Sequence, residues 1–245
     1  MSGNYEQIFP IGIITNYVEK FWKYENIECK DELISILPDG NFELVFRFDN
    51  DKIDTIKIFG LTTKEIAISS NTNNLVYGIT FKPLAAEYIL KQNLNNILNS
   101  DRIIDNDFWD LNTISVSSFE EWIKLISIKI NYESKIGKLV DVRKQRLFDF
   151  LFLHKGNVNI KGLSEFTYWN TRQLNRYFQS RFGISIKTYC NVLRSHANYK
   201  RIIDGNLSPI EDFYDQSHLI REIKKHTGLN PSELFKNDRF IQFNI

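Results

Sequence analysis

The chain has 245 residues, enough for one large domain or two small ones. Its 42% hydrophobic and 14% aromatic content suffices for packed cores, and a charged share of 25% is ordinary for a soluble protein. No apolar run is long enough to span a bilayer, and Met1 to Pro10 lacks the basic and apolar segments of a secretory signal, so a cytoplasmic protein with no membrane partner is expected. Cys29 and Cys190 lie far apart and fit reduced thiols better than a disulfide framework. The net charge of +1 hides a division. Residues 1–134 hold 12 Lys+Arg and 20 Asp+Glu, whereas residues 135–245 hold 19 and 10. Such an asymmetry fits a second half that meets a polyanion.

The first half mixes strand and helix signals. Tyr17, Val18, Phe21 and Trp22 recur at helical spacing and predict a helix over Thr15 to Lys23. Glu32 to Leu37 leads into Pro38-Asp39-Gly40, a turn signal. Phe42, Leu44, Phe46 and Phe48 alternate as on one face of a strand, and Asp49-Asn50-Asp51 should turn the chain. Ile53 to Phe59, Glu65 to Ser69 and Leu75 to Phe81 read as further strands. Pro83 to Gln92 reads as a helix with proline in its first turn. Ser118 and Glu121 form a capping-box pattern ahead of Trp122, Leu125 and Ile126, and that helix is expected to end near Asn131.

From about Gly137 the chain reads as all helix. Leu139 to Leu153 and Ile160 to Phe166 come first, then a turn at Thr167-Tyr168-Trp169. Asn170 is a candidate N-cap for a helix over Thr171 to Phe182, with Gly183 as its stop. A long helix is expected over Ile186 to Ile203, ended by Asp204-Gly205. Asp215 should cap Gln216 to His226, with Gly228 as the stop, and Asn230-Pro231 should open a last short helix. The expected fold class is α+β: a β-rich N-terminal domain over residues 1–131, a small sandwich or barrel with flanking helices, then an all-α domain over 137–245.

Leu163 to Phe178 has the form of a helix-turn-helix: a short helix, a tight turn, and a capped helix with a seam at Leu174, Phe178 and Phe182. Arg172, Asn175, Arg176 and Gln179 share the face opposite that seam. Arg can fork onto guanine, and Asn or Gln onto adenine, in a major groove wide enough for a helix.

Trp169-Asn170-Thr-Arg-Gln-Leu-Asn-Arg-Tyr-Phe178, Phe182-Gly183-Ile-Ser185 and Thr188-Tyr-Cys-Asn-Val-Leu-Arg194 resemble the DNA-binding domain of the AraC/XylS family of transcription regulators. Phe213 to Ile223 and Thr227 to Leu234 carry the same resemblance, which covers about residues 140–236. It implies two helix-turn-helix units on a long bridging helix, reading successive major grooves of double-stranded DNA. By position it makes Arg172, Asn175 and Arg176, with Gln179 beside them, the base readers of the first unit. Gln216, Ser217 and Arg221 are those of the second. Lys187, Arg194, Lys200, Arg201, Lys224 and Lys225 become phosphate contacts, which position without reading sequence. Ile186 stands where the family usually has proline, and Pro209-Ile-Glu-Asp212 is about five residues shorter than the family's corresponding segment, so the second unit is expected to be truncated. Ile36-Leu-Pro-Asp-Gly-Asn-Phe-Glu-Leu-Val-Phe46, Phe59-Gly60-Leu-Thr and Tyr77-Gly-Ile-Thr-Phe-Lys-Pro83 resemble a domain often found in front of AraC-type regions. The resemblance supplies no ligand for this half, which is expected to bind a small-molecule effector, form a homodimer or contact other proteins such as RNA polymerase.

Other readings carry little chemistry. Asp39 is assigned to the Pro-Asp-Gly turn rather than to an acid–base pair with Glu43, which is expected in solvent. His154, His196, His218 and His226 show no metal-ligand spacing, and no phosphate loop or nucleophile elbow is present. No catalytic residue, cofactor or metal site is therefore expected. Phe42, Phe46, Phe48, Phe59 and Phe81 are read as core, some of them able to line an effector pocket. The alternative function is a ligand- or protein-binding module whose basic half binds DNA without specificity.

Overall fold

The computed structural model describes residues 4–26, 32–49, 52–70, 75–105, 107–113, 115–206 and 216–235. An antiparallel β domain is followed by a helical region, the expected α+β order. The strands are β1 (Asn4–Ile8), β2 (Val18–Glu25), β3 (Glu32–Ile36), β4 (Phe42–Asp49), β5 (Lys52–Phe59), β6 (Ile66–Ser70), β7 (Leu75–Phe81) and β8 (Asp101–Ile104). Six of them form one sheet in the order β1-β2-β7-β4-β5-β8, while β3 and β6 pair as a separate ribbon. The helices are α1 (Leu84–Tyr88), α2 (Phe119–Ile136), α3 (Val142–Leu153), α4 (Ile160–Thr167), α5 (Thr171–Phe182), α6 (Ile186–Ile203), α7 (Gln216–Thr227) and α8 (Pro231–Phe235).

Alternation along the strands sends each face of the sheet to a different neighbour. Phe42, Leu44, Phe46 and Phe48 of β4, with Phe21, Ile56, Ile58 and Ile79, enter the main core. There α2 lays down Phe119, Trp122, Ile126 and Ile130, spaced for one helical stripe. The Trp122 ring meets Phe21 and Phe46 at centroid distances of 6.1 and 5.3 Å. On the opposite face Trp22 and Tyr24 pack with Ile34 of the ribbon.

Several expected elements are corrected. Thr15 to Lys23 is no helix: a 3-10 turn over Gly12–Asn16 gives way to β2. Both faces of β2 are covered, Phe21 on the core side and Trp22 and Tyr24 under the ribbon, so its sequence never alternates. The helix expected over Pro83 to Gln92 ends at Tyr88, and α2 runs past Asn131 to Ile136. Ser118 does accept from the Glu121 N–H, at 3.2 Å, but the Glu121 carboxylate turns to the N–H and hydroxyl of Ser117. Leu139 stays outside α3, which starts one residue after Asp141 caps it through the Arg143 N–H. The turn at Asn50-Asp51, the Asp215 cap, the Pro209 to Asp212 segment and Cys29 lie outside the described residues.

The helical region keeps the expected punctuation. Asn170 and Gln173 close a reciprocal capping box at the start of α5. Gly183 takes the left-handed conformation at its end, φ 76°, which a side chain would resist. α6 spans Ile186–Ile203 as expected, started by Ser185, whose hydroxyl accepts from the Thr188 N–H. One cluster of buried side chains runs from the sheet through Tyr88, Leu90 and Leu94 into Phe148, Phe178, Phe182 and Tyr189. A second joins Leu37 to Tyr199, Ile202, Leu219, Ile223 and Leu234.

Candidate functional site

The first candidate surface is α5. Leu174, Phe178 and Phe182 are fully buried, and Phe178 stacks obliquely on Tyr189 of α6 at 5.0 Å. That anchoring turns Arg172, Arg176 and Gln179 outward into solvent. Asn175 is half-buried, and its amide donates to the Thr171 carbonyl at 3.1 Å, which fixes its orientation along the same face. The turn before α5 is tight: Tyr168 ends α4 in the left-handed region at φ 56°, and the Ser164 hydroxyl donates to the Trp169 carbonyl at 2.6 Å. On α7, Gln216, Ser217 and Arg221 are also exposed, opposite the buried Leu219 and Ile223. Lys187, Lys200, Lys224 and Lys225 are exposed as well. Arg194 and Arg201 are half-buried on α6, and the Arg194 guanidinium bonds to the Asn191 side chain. Every candidate contact with nucleic acid thus lies on α5, α6 or α7.

These helices are seated on the β domain. The Tyr189 hydroxyl donates to the Gly40 carbonyl at 2.9 Å, and the Leu94 N–H donates to the Arg181 carbonyl at 2.8 Å. Glu87 of α1 receives Lys144 at 2.5 Å and Arg181 at 3.5 Å. His226 meets the Thr63 carbonyl at 2.6 Å, and burial holds its imidazole below the usual histidine range. Burial raises the Cys190 thiol to about 12, which makes it an inert core group.

The second candidate site is a cavity of about 190 Å³ between the main sheet and the β3–β6 ribbon. Trp22, Tyr24, Glu43, Val45 and Val76 form its floor, with Ile34, Ile36 and Ile68 from the ribbon above. The Trp22 indole lies across Gly78, where a Cβ would fall 2.0 Å from the ring. Its N–H donates to Glu43 at 2.9 Å, and the Thr80 hydroxyl donates to the same carboxyl at 2.9 Å. Arg47 and Lys57 stand at the rim, paired with Asp54 and Asp101.

Glu43 corrects the expectation of a solvated side chain: it is buried because the ribbon covers its face of the sheet. Burial, and then the charge of Asp39, push its carboxyl up to about 8. Asp39 holds the turn as expected, accepting from the Asn41 N–H at 2.8 Å. Phe42, Phe46, Phe48 and Phe81 are core, while Phe59 lines the cavity. Trp22, Glu43 and Gly78 were not expected as one site, although a glutamate between Phe42 and Leu44 and a glycine within a strand were the available signals.

Among the described residues, no cluster of three His, Cys, Asp or Glu side chains could hold a metal, and no helix is long and apolar enough to cross a membrane.

Residues 6–102 match the family described as a domain of unknown function, DUF6597. No curated protein matches the chain. Among solved structures, it resembles ToxT from Vibrio cholerae with 14% identity and a TM-score of 0.44, over 96% of this chain and 99% of that one. ToxT bound to (E)-4-(8-methylnaphthalen-1-yl)but-3-enoic acid gives 15% identity and a TM-score of 0.45, over 94% and 98% of the two chains. ToxT bound to an unsaturated fatty acid gives 14% and 0.44, over 90% and 96%. At that distance the match transfers no property of those chains to this one.

Proposed function

We propose that the chain is a sequence-specific, DNA-binding transcription regulator of the AraC type, with a DNA-binding domain over residues 137–245 behind an effector-binding domain over 1–131. The observation that carries this reading is α5: a helix capped at Asn170, pinned by Leu174, Phe178 and Phe182, that presents Arg172, Arg176 and Gln179 to solvent directly after a tight turn. Arg172, Asn175, Arg176 and Gln179 would read base edges, and Gln216, Ser217 and Arg221 would do so from α7. Lys187, Arg194, Lys200, Arg201, Lys224 and Lys225 would hold phosphates. The excess of cations in the second half supports this assignment. Duplex DNA is the proposed macromolecular partner, with RNA polymerase and a second copy of the chain as candidate protein partners, all in the cytoplasm.

The test is selection of bound fragments from genomic DNA by the full chain at physiological salt, compared with random duplex. Enrichment of a shared operator, with affinity falling steeply as salt rises, is the expected result. A specific-to-random ratio near unity would instead mark a ligand- or protein-binding module with sequence-blind attachment to DNA.

A further inference from the structure

The cavity under the ribbon has a definite chemistry. Its walls are largely apolar, with Tyr24, Ile34, Ile36 and Val45 among them, and Trp22, whose ring lies over Gly78, is part of the lining. Among the described residues, its one acidic wall residue is Glu43. The charged groups around that carboxyl are Asp39, Lys20 and the rim pair Arg47 and Lys57, with the Tyr5 phenol nearby. Asp39, Glu43 and Lys20 are all buried. Asp39 and Lys20 are the charged neighbours that act on Glu43 from within the protein. Lys20 lies beside the Gln7 side chain, to which it donates at 3.2 Å. The rim cations are already engaged, Lys57 with Asp101 at 2.9 Å and Arg47 with Asp54. A buried carboxylate needs a partner of opposite charge, and a cation brought by a ligand would supply one to Glu43.

From this arrangement we infer that the cavity takes a small aromatic amine, whose ring lies against Trp22 and whose ammonium donates to the Glu43 carboxylate. A void of about 190 Å³ suits a one- or two-ring molecule, since cavities of about 150 Å³ accept benzene. The aromatic face adds a cation–π attraction in a desolvated site. Binding exchanges one cation for another: the ammonium arrives charged and the Glu43 proton leaves to solvent. The inference rests on the regulator reading only in calling the amine an effector; the site itself stands on the β domain.

Titration calorimetry on the full chain tests it, with phenethylamine, phenethyl alcohol and hydrocinnamate as matched probes. The amine should bind about tenfold or more tighter than the alcohol and the acid, the size of one charge-assisted hydrogen bond. Glu43→Gln should bring the amine to the level of the alcohol. On the unaltered chain, heats in buffers of different ionisation enthalpy should show one proton released, and affinity should rise with pH up to about 8. Tighter binding of hydrocinnamate, no proton release, amine binding untouched by Glu43→Gln, or no binding of any probe would each overturn the inference. Operator binding by the unliganded chain, measured alongside, separates failure of this inference from failure of the regulator reading.

Discussion

Glu43 links stability to pH in the direction opposite to a salt-bridged carboxylate. Burial favours its neutral form, so the folded chain keeps the proton up to about 8 whereas an unfolded glutamate loses it near 4.5. The stability attached to this group is full below that lower range and is lost as pH rises through about 8. Urea titrations at about pH 6 and about pH 8 should show the unaltered chain losing stability relative to Glu43→Gln, while parallel losses would mean that the acid is ionised throughout. Arg176 poses a different question at the same scale. It is exposed on α5. Arg176→Ala should therefore leave folding intact, weaken a cognate operator by about 1–3 kcal/mol and relax its specificity. Equal loss on every duplex would assign the side chain to phosphate.

Where an element carries its own start and stop, its sequence was enough. Asn170 with Gln173, and Gly183 at the far end, delimit α5 by local hydrogen bonds and a left-handed φ. Asn170→Ala should cost about 1 kcal/mol by urea titration, since it leaves the Gln173 N–H without its acceptor. A smaller loss would mean that water replaces the cap. β4 was legible for a related reason: its second face carries Glu43 and Arg47 as well as Val45, so Phe42, Leu44, Phe46 and Phe48 still stand out by alternation. β2 was not, because Phe21 and Trp22 point to opposite faces that are both covered. The cavity was least legible of all. Trp22, Ile34, Glu43 and Gly78 meet only through pairing of β2 with β7 and β7 with β4, and through a ribbon whose position over the sheet no local pattern encodes.

At the scale of the whole molecule, the β domain and the helices share one packed interior. Tyr88 of α1 accepts from the Asp141 N–H at 3.0 Å, and its buried side chain belongs to the cluster that holds Phe148 and Phe182. Heating the full chain should therefore give one cooperative transition, coincident by far-ultraviolet dichroism and tryptophan fluorescence. Gly40→Ala should lower that transition as a unit. Gly40 sits at φ 85°, and a Cβ there would fall 2.6 Å from the Leu193 side chain of α6. Two separated transitions would show that the halves unfold independently.

The stretch from Ile36 to Glu43 has a consequence of its own. Its ends line the cavity, while between them Leu37 and Gly40 touch α6, the helix that bridges the two candidate reading units. An occupant that prefers one seating of this stretch over another would act on α6 through these contacts. Thermodynamic reciprocity then fixes the size of the return effect: whatever factor the occupant imposes on operator affinity, operator DNA imposes on the occupant. Two titrations, each run with and without the other ligand, should close on a single ratio.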